Sequence, residues 1–112
     1  MKIYHNPRCR KSRETLEILT QKGIEPEIIL YLENTISEEE LNKILKKLKV
    51  SASDIIRKGE AIYKEKFKGK KMTEGQWIKA MIKYPKLMER PIVVKGNRAV
   101  IGRPPENVNA LI

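Results

Sequence analysis

The apolar positions at the start of the chain predict a strand, a helix and a second strand. Residues 2–4 form a short apolar segment that Asn6-Pro7 ends. A helix is expected from about Arg10, with Leu16, Ile18 and Leu19 facing inward. It should end at Lys22-Gly23, because a cation followed by glycine is typical of helix C-termini. The second predicted strand spans Glu27 to Leu32, and its consecutive residues Ile28, Ile29 and Leu30 indicate burial between covering helices. This order is typical of a βαβ unit with parallel strands.

The middle of the chain has the periodicity of helices. Ser37 and Thr73 predict two helix starts, each with a capping box, and Ser51 predicts a short helix between them. The apolar face of the first of these helices consists of Leu41, Ile44, Leu45 and Leu48. The short helix contributes Ile55 and Ile56, and the last contributes Trp77, Ala80, Met81 and Tyr84. These large residues are more typical of a core than of a binding stripe.

Near the end of the chain the pattern of apolar residues becomes typical of β-strands. Pro91 to Val94 and Arg98 to Ile101 flank Lys95-Gly96-Asn97, which predicts a β-hairpin with a short turn. Pro104-Pro105-Glu106 predicts the start of a final helix, with Val108 and Leu111 on its apolar side.

Together these elements predict an α/β fold of the thioredoxin-like kind. The expected sheet has four strands and is mixed, with a helical insertion in the middle of the chain. We expect one domain over residues 1–112, with the insertion at about 36–88. Cys9 is predicted to lie at the end of the first strand, where the first helix begins.

Composition and charge narrow the function classes. The formal net charge of +10 favours anionic partners. The basic residues are spread along the chain, and the cluster Lys64 to Lys71 flanks only Phe67, so nucleic-acid binding is not favoured. No stretch has the length of a signal peptide's apolar region or of a membrane span. We therefore expect a cytoplasmic monomer without membrane contact.

Cys9 lies in an unusual charge environment. It is flanked by four cations, Arg8, Arg10, Lys11 and Arg13. Cations at a helix start oppose the helix dipole, so an anion is expected there. The anion is either a Cys9 thiolate, whose pKa the cations and the helix end would lower, or a docked oxyanion. The alternative is an inert buried cysteine beside a solvated run of charge.

The residue count restricts the chemistry of this thiol. A single cysteine excludes an intramolecular disulfide and an all-cysteine metal site, and no metal is expected. A phosphatase loop of the Cys-x5-Arg type would need Arg where the chain has Thr15, and a dithiol motif would need a second cysteine where it has Ser12. After Cys9 attacks an oxyanion, turnover must therefore use an external thiol such as glutathione or glutaredoxin. No bound cofactor is expected, and glutathione would be a co-substrate.

Other polar residues could assist Cys9. Arg57, Arg90 and Arg103 stand at predicted element ends, and arginine suits bidentate recognition of oxyanions. If the three converge near Cys9, the site could bind arsenate or phosphate for attack by the thiolate. His5 could keep Cys9 ionised. Ser12 could donate a hydroxyl hydrogen bond to the thiolate or cap the first helical turn.

The chain resembles the glutaredoxin-coupled arsenate reductase family, a thioredoxin-fold group that also includes Spx-type transcription regulators. The resemblance extends nearly from end to end and rests on four groups of residues. These are Tyr4-His5-Asn6-Pro7-x-Cys9-x-x-Ser12-Arg13-x-Thr15-Leu16, Tyr31-Leu32, Ile56-Arg57-Lys58, and Tyr84-Pro85 with Arg90-Pro91-Ile92-Val93-Val94 and Arg103-Pro104.

The resemblance implies a mechanism and a set of site residues. Cys9 would be the nucleophile, and Arg57, Arg90 and Arg103 would bind and activate the arsenic oxyanion, while His5 and Ser12 tune the thiolate. It also implies a cis peptide before Pro91. Cys9 would form a thiol-arsenate adduct, glutathione would add to it, and glutaredoxin would reduce it to release arsenite.

Two alternatives remain open at this point. One is an Spx-like regulator that binds RNA polymerase, although such proteins usually have a Cys-x-x-Cys switch and this chain has Ser12 in that position. The other is a monothiol redox protein that acts on glutathione mixed disulfides without an oxyanion substrate.

Overall fold

The computed structural model describes all 112 residues, which form two compact units. The first unit combines Met1–Asn34 with Arg90–Ile112, and the second is Thr35–Glu89. No helix is both long and apolar enough to cross a membrane. The single-domain organisation expected for residues 1–112 stays a prediction.

The first unit is built on a four-stranded mixed sheet. Its strands are β1 (Lys2–Tyr4), β2 (Glu27–Ile29), β3 (Ile92–Lys95) and β4 (Arg98–Ile101), in the spatial order β2-β1-β3-β4. β1 pairs with β2 in parallel, whereas β1 with β3 and β3 with β4 are antiparallel. The predicted thioredoxin-like α/β class, including the helical segment between β2 and β3, is confirmed.

Helices cover this sheet through a small apolar core. Helix α1 spans Arg10–Gln21, and a 3₁₀ helix spans Pro105–Leu111. The core residues that sheet and helices share are Ile3, Leu19, Val93, Val108 and Leu111. Leu16 and Ile18, predicted to turn inward, are partly buried against this core.

Strand β2 differs from its prediction. It ends at Ile29 rather than Leu32, and Ile28 is 49% exposed, so the expected burial of this run is wrong. The physical reason is its position at the edge of the sheet, where only one side of the strand pairs with a neighbour. The fully buried residue of this segment is instead Tyr31, beyond the end of the strand.

The second unit is helical. It contains α2 (Glu38–Leu48), a 3₁₀ helix (Ala52–Ile55), α3 (Ala61–Lys66), α4 (Glu74–Lys83) and a 3₁₀ helix (Pro85–Leu87). Helix α3 and the Pro85–Leu87 turn were not predicted. In α3, buried apolar residues are absent, so it lacks the periodic signal that identified α2.

The predicted helix starts in this unit agree with the hydrogen bonding. The Ser37 hydroxyl accepts the Glu40 N–H at 3.0 Å, and Thr73 and Gln76 form both halves of a capping box. Ser51 forms a similar box with Asp54. These caps satisfy backbone N–H groups that have no partner inside the helix.

Candidate active site

Cys9 is the residue that immediately precedes helix α1. Its backbone is extended, with φ −94° and ψ 122°, and its carbonyl accepts the Arg13 N–H at 3.0 Å. The Asn6 side chain and carbonyl accept the N–H groups of Arg8 and Cys9, each at 3.0 Å, which folds the segment into a tight turn. No acidic residue occupies the first turn of α1. The turn therefore places the Cys9 thiol at a helix start that has no carboxylate to compete for its backbone N–H groups.

The surroundings of Cys9 favour its thiolate. Partial burial raises the pKa of the thiol, but several stabilising contacts together lower it below its ordinary value. These contacts are the hydrogen bond from the backbone N–H of Ser12, the hydrogen bond and the charge of the Arg90 side chain, and the backbone N–H of Lys11. The helix start and one arginine thus lower the pKa of Cys9, as expected for a reactive cysteine.

Two arginines reach this thiol from the far end of the chain. The Arg103 Nη2 lies 3.5 Å from the Cys9 Sγ, and its Nε donates to the Arg90 carbonyl at 2.9 Å. The register of the hairpin explains why Arg90 and Arg103 lie side by side. Ile92 lies opposite Ile101, and two residues further along each strand the same register places Arg90 opposite Arg103. The peptide bonds that follow both arginines are cis, including the one before Pro91.

His5 and Ser12 form a buried polar pair beside this turn. The Ser12 hydroxyl accepts the Asn6 N–H at 3.0 Å and shares a hydrogen bond of 2.6 Å with the His5 Nδ1. Burial, together with the charge of Arg13, lowers the pKa of His5, so its ring is neutral at pH 7. The contact of Ser12 with the thiolate is made by its backbone N–H. A direct role for the Ser12 hydroxyl or for His5 in holding the thiolate stays a prediction.

The cation cluster around Cys9 divides into two pairs. Arg10 lies 3.3 Å from Glu14, and Arg13 donates to the Pro7 carbonyl at 2.9 Å. Arg8 and Lys11 make no such side-chain contact, and all four cations are exposed. The side chain that lowers the Cys9 pKa is that of Arg90, which the sequence analysis considered as a candidate ligand of the oxyanion.

Arg57 belongs to the second unit. It follows the Ala52–Ile55 turn, where its backbone N–H donates to the Leu87 carbonyl at 2.7 Å. Its guanidinium lies between two carboxylates, 3.5 Å from Glu89 and 3.8 Å from Glu60. Its predicted role in substrate binding stays a prediction.

Gly102 is a site residue that sequence reasoning missed. A Cβ at this position would lie 2.5 Å from the Thr15 Oγ1 and 2.8 Å from the Pro91 Cγ. The Gly102 N–H donates to the Pro91 carbonyl at 2.9 Å. The missing side chain lets the end of β4 approach α1 closely, immediately before Arg103. A glycine between an apolar strand and Arg-Pro was the available signal.

Comparison with known proteins identifies the family of this chain. The model of the ArsC family matches residues 4–111. The arsenate reductase of Haemophilus influenzae is 44% identical over 108 residues, covering 95% of this chain and 93% of that protein. The uncharacterised protein YfgD of Escherichia coli K12 is 49% identical over 114 residues, covering 100% and 96%.

A solved structure shows the same fold. The arsenate reductase from Vibrio cholerae superposes with a TM-score of 0.95 at 43% identity, covering 99% of this chain and 96% of that one. Both the sequence match and the structural match extend over nearly all of the chain. The protein belongs to the ArsC family.

Proposed function

We propose that this protein reduces arsenate to arsenite through a covalent adduct on Cys9, using glutathione and glutaredoxin as reductants. The observation that carries the proposal is the placement of the Cys9 thiol at the start of α1, 3.5 Å from the Arg103 guanidinium, with Arg90 lowering its pKa. The relatives named arsenate reductase support the substrate.

The first step is a displacement at arsenic. The Cys9 thiolate attacks dihydrogen arsenate, a sulfur–arsenic bond forms, and one hydroxyl takes up a proton and leaves as water. Arg90 and Arg103 would hold the oxygens that carry the developing negative charge. Arginine suits this task because its planar fork matches two oxygens at once.

The later steps require external thiols. Glutathione adds to arsenic and displaces a second oxygen as water. A glutaredoxin thiolate then attacks the glutathione sulfur, a disulfide forms, and the electron pair of the arsenic–sulfur bond stays on arsenic, which becomes arsenic(III). Water hydrolyses the remaining bond to Cys9 and releases arsenite. Two thiols are oxidised for each arsenate reduced, which a chain with one cysteine cannot supply by itself.

Arg57 would be the third ligand of the oxyanion in this proposal. Its guanidinium is already paired with Glu60 and Glu89, so binding to an oxyanion would compete with these carboxylates. Glu89→Gln removes one competitor, and the KM for arsenate should fall while kcat changes little. An unchanged KM would remove Arg57 from the set of ligands.

The test is arsenate-dependent oxidation of glutathione in the presence of glutaredoxin. Cys9→Ser should abolish it, and Arg103→Lys should lower kcat/KM at least about tenfold because the bidentate contact is lost. Lys46→Ala, on an exposed side chain of α2 far in sequence from Arg90 and Arg103, is the matched control and should retain full activity. Equal activity of the native protein and the Cys9→Ser variant would overturn the mechanism.

Two further assays separate the alternatives. Reduction of a glutathionylated peptide without any response to arsenate would indicate the monothiol redox function. Capture of RNA polymerase that persists in Cys9→Ala, again without arsenate turnover, would indicate the regulator.

A further inference from the structure

A second charged feature lies in the helical unit, within Thr35–Glu89 and apart in sequence from Cys9. It is an open groove of about 790 Å³ between α3, the loop that follows it and one face of α4. We call it the lysine groove. Its basic residues are Lys66, Lys70, Lys71, Lys79 and Lys83, and Glu65 is the single acidic residue that lines it.

The lysines of the groove repel one another when no anionic partner is bound. Lys79 and Lys83 are one helical turn apart on α4, where two cations repel each other. The loop lysines Lys70 and Lys71 line the same groove. All five lysines are exposed, and the positive potential of such a groove attracts an anionic partner.

The floor of the groove is apolar, and its aromatic residues contact neighbouring rings. Phe67 packs against Trp77 at 5.8 Å and against Tyr84 at 5.9 Å between ring centroids. Met72 and Ala80 extend this floor. An apolar side chain that enters the groove would therefore be buried against carbon, while charges at its rim meet the lysines.

The ring contacts also bear on which anion fits. The Nζ atoms of Lys66 and Lys83 lie 5.9 and 5.5 Å from the Tyr84 ring centroid, and Phe67 uses its ring against two neighbours. Single-stranded nucleic acid is bound through several ring faces on which successive bases stack, and this groove is lined by only two aromatic residues, Phe67 and Tyr84. Carboxylates need only the lysines. The groove is also largely open to solvent, which suits a peptide segment better than an enclosed small molecule.

From these contacts we infer that the lysine groove is a docking site for an acidic peptide segment of a partner protein, with at least one apolar side chain seated on the Phe67 floor. Such docking would give a role to Lys66, Lys70 and Lys71 of the Lys64 to Lys71 cluster, which charge composition alone left unexplained.

The test is fluorescence anisotropy of a labelled octapeptide of six glutamates, one leucine and one phenylalanine, at about 0.15 M ionic strength. Lys70→Glu with Lys79→Glu should weaken binding about tenfold or more, because two favourable charge pairs become repulsive. Lys86→Glu with Lys95→Glu, two exposed lysines outside the groove, changes the net charge equally and should weaken binding less than about twofold.

Two further probes define the occupant. Replacing the leucine and phenylalanine of the peptide by serine should weaken binding about tenfold through lost apolar burial. Absence of binding, equal effects of the two pairs of substitutions, or no effect of the serine replacements would overturn the proposal. A labelled oligothymidylate that binds more tightly than the peptide and depends on Lys70 and Lys79 would also overturn it, in favour of nucleic acid.

Discussion

At the residue scale, the pKa of the Cys9 thiol depends on groups that stabilise its negative charge. Backbone N–H groups at the start of α1 and the Arg90 side chain lower the pKa of the thiol against the opposing effect of burial. The thiolate fraction at neutral pH is correspondingly larger than that of a free cysteine.

Alkylation by iodoacetamide measures this property directly. The rate should reach half of its plateau at a pH below the free thiol value of about 8.5. Arg90→Ala should move the midpoint to higher pH, since a stabilising charge is removed, and Arg10→Ala, whose side chain pairs with Glu14, should move it less. Identical midpoints for the native protein and Arg90→Ala would contradict the assigned role of Arg90.

Titration of His5 should make the free energy of unfolding decrease as the pH falls. Its pKa in the folded protein is below the ordinary value of 6.5 because burial disfavours the charged ring. When the pH falls below about 6.5, the unfolded chain binds a proton that the folded protein resists, so the free energy of unfolding decreases. The loss stops once the pH is below the folded pKa.

Urea unfolding of the native protein and of His5→Asn between neutral and mildly acidic pH tests this effect. The native protein should lose more stability over this range than His5→Asn, which has no titrating group at the position and can still pair with Ser12. Parallel stability curves for the two proteins would show that His5 titrates alike in both states.

At the element scale, the close approach of β4 to α1 positions Arg103. Gly102 has no room for a Cβ because Thr15 and Pro91 occupy that space, and Arg103 is the next residue. The contact is thus a packing feature with a direct consequence for the thiol site.

Gly102→Ala should destabilise the protein by about 1–3 kcal/mol through overpacking. It should also slow the alkylation of Cys9, because a shift at this position moves Arg103 away from the Sγ. Adding Thr15→Ala opens space and should restore part of both losses. Gly75→Ala, at a glycine with nothing within 4 Å of the new Cβ, is the control. Native stability of Gly102→Ala would refute the packing role.

At the scale of the whole molecule, the net charge of +10 acts on any charged reagent that approaches Cys9. Arg8 and Lys11 are exposed beside the thiol and add a local attraction. Anionic thiol reagents should therefore react faster than neutral ones of similar intrinsic reactivity.

The comparison uses an anionic and a neutral aromatic disulfide, each corrected for its rate with free cysteine. The ratio of the two rates should exceed one at low salt and fall as ionic strength rises, because salt screens exposed charges. Arg8→Ala with Lys11→Ala should lower the ratio at low salt. A ratio that does not respond to salt would exclude electrostatic attraction to the thiol.

The sequence by itself determined the elements with strong local signals. The hairpin between β3 and β4 follows from the Gly96 turn, and the starts of α2 and α4 follow from Ser37 and Thr73. The sequence also determined that the chain has a single thiol, since this requires only counting its cysteines. Elements with weak local signals were not predicted correctly. Helix α3 was missed because it has no buried apolar residue. The burial of β2 was predicted wrongly because its edge position depends on the order of all four strands, which no single segment determines.

Only the tertiary structure decided how the site is assembled. Cys9 and Arg103 are 94 residues apart, and their contact depends on the sheet order, the hairpin register and the space left by Gly102. The sequence marked Arg90 and Arg103 as arginines before prolines, but the hydrogen bond between them and the lowered Cys9 pKa arise from packing. Local patterns encode hydrogen bonds and burial within a segment, whereas a site built from distant segments exists only once the sheet brings them together.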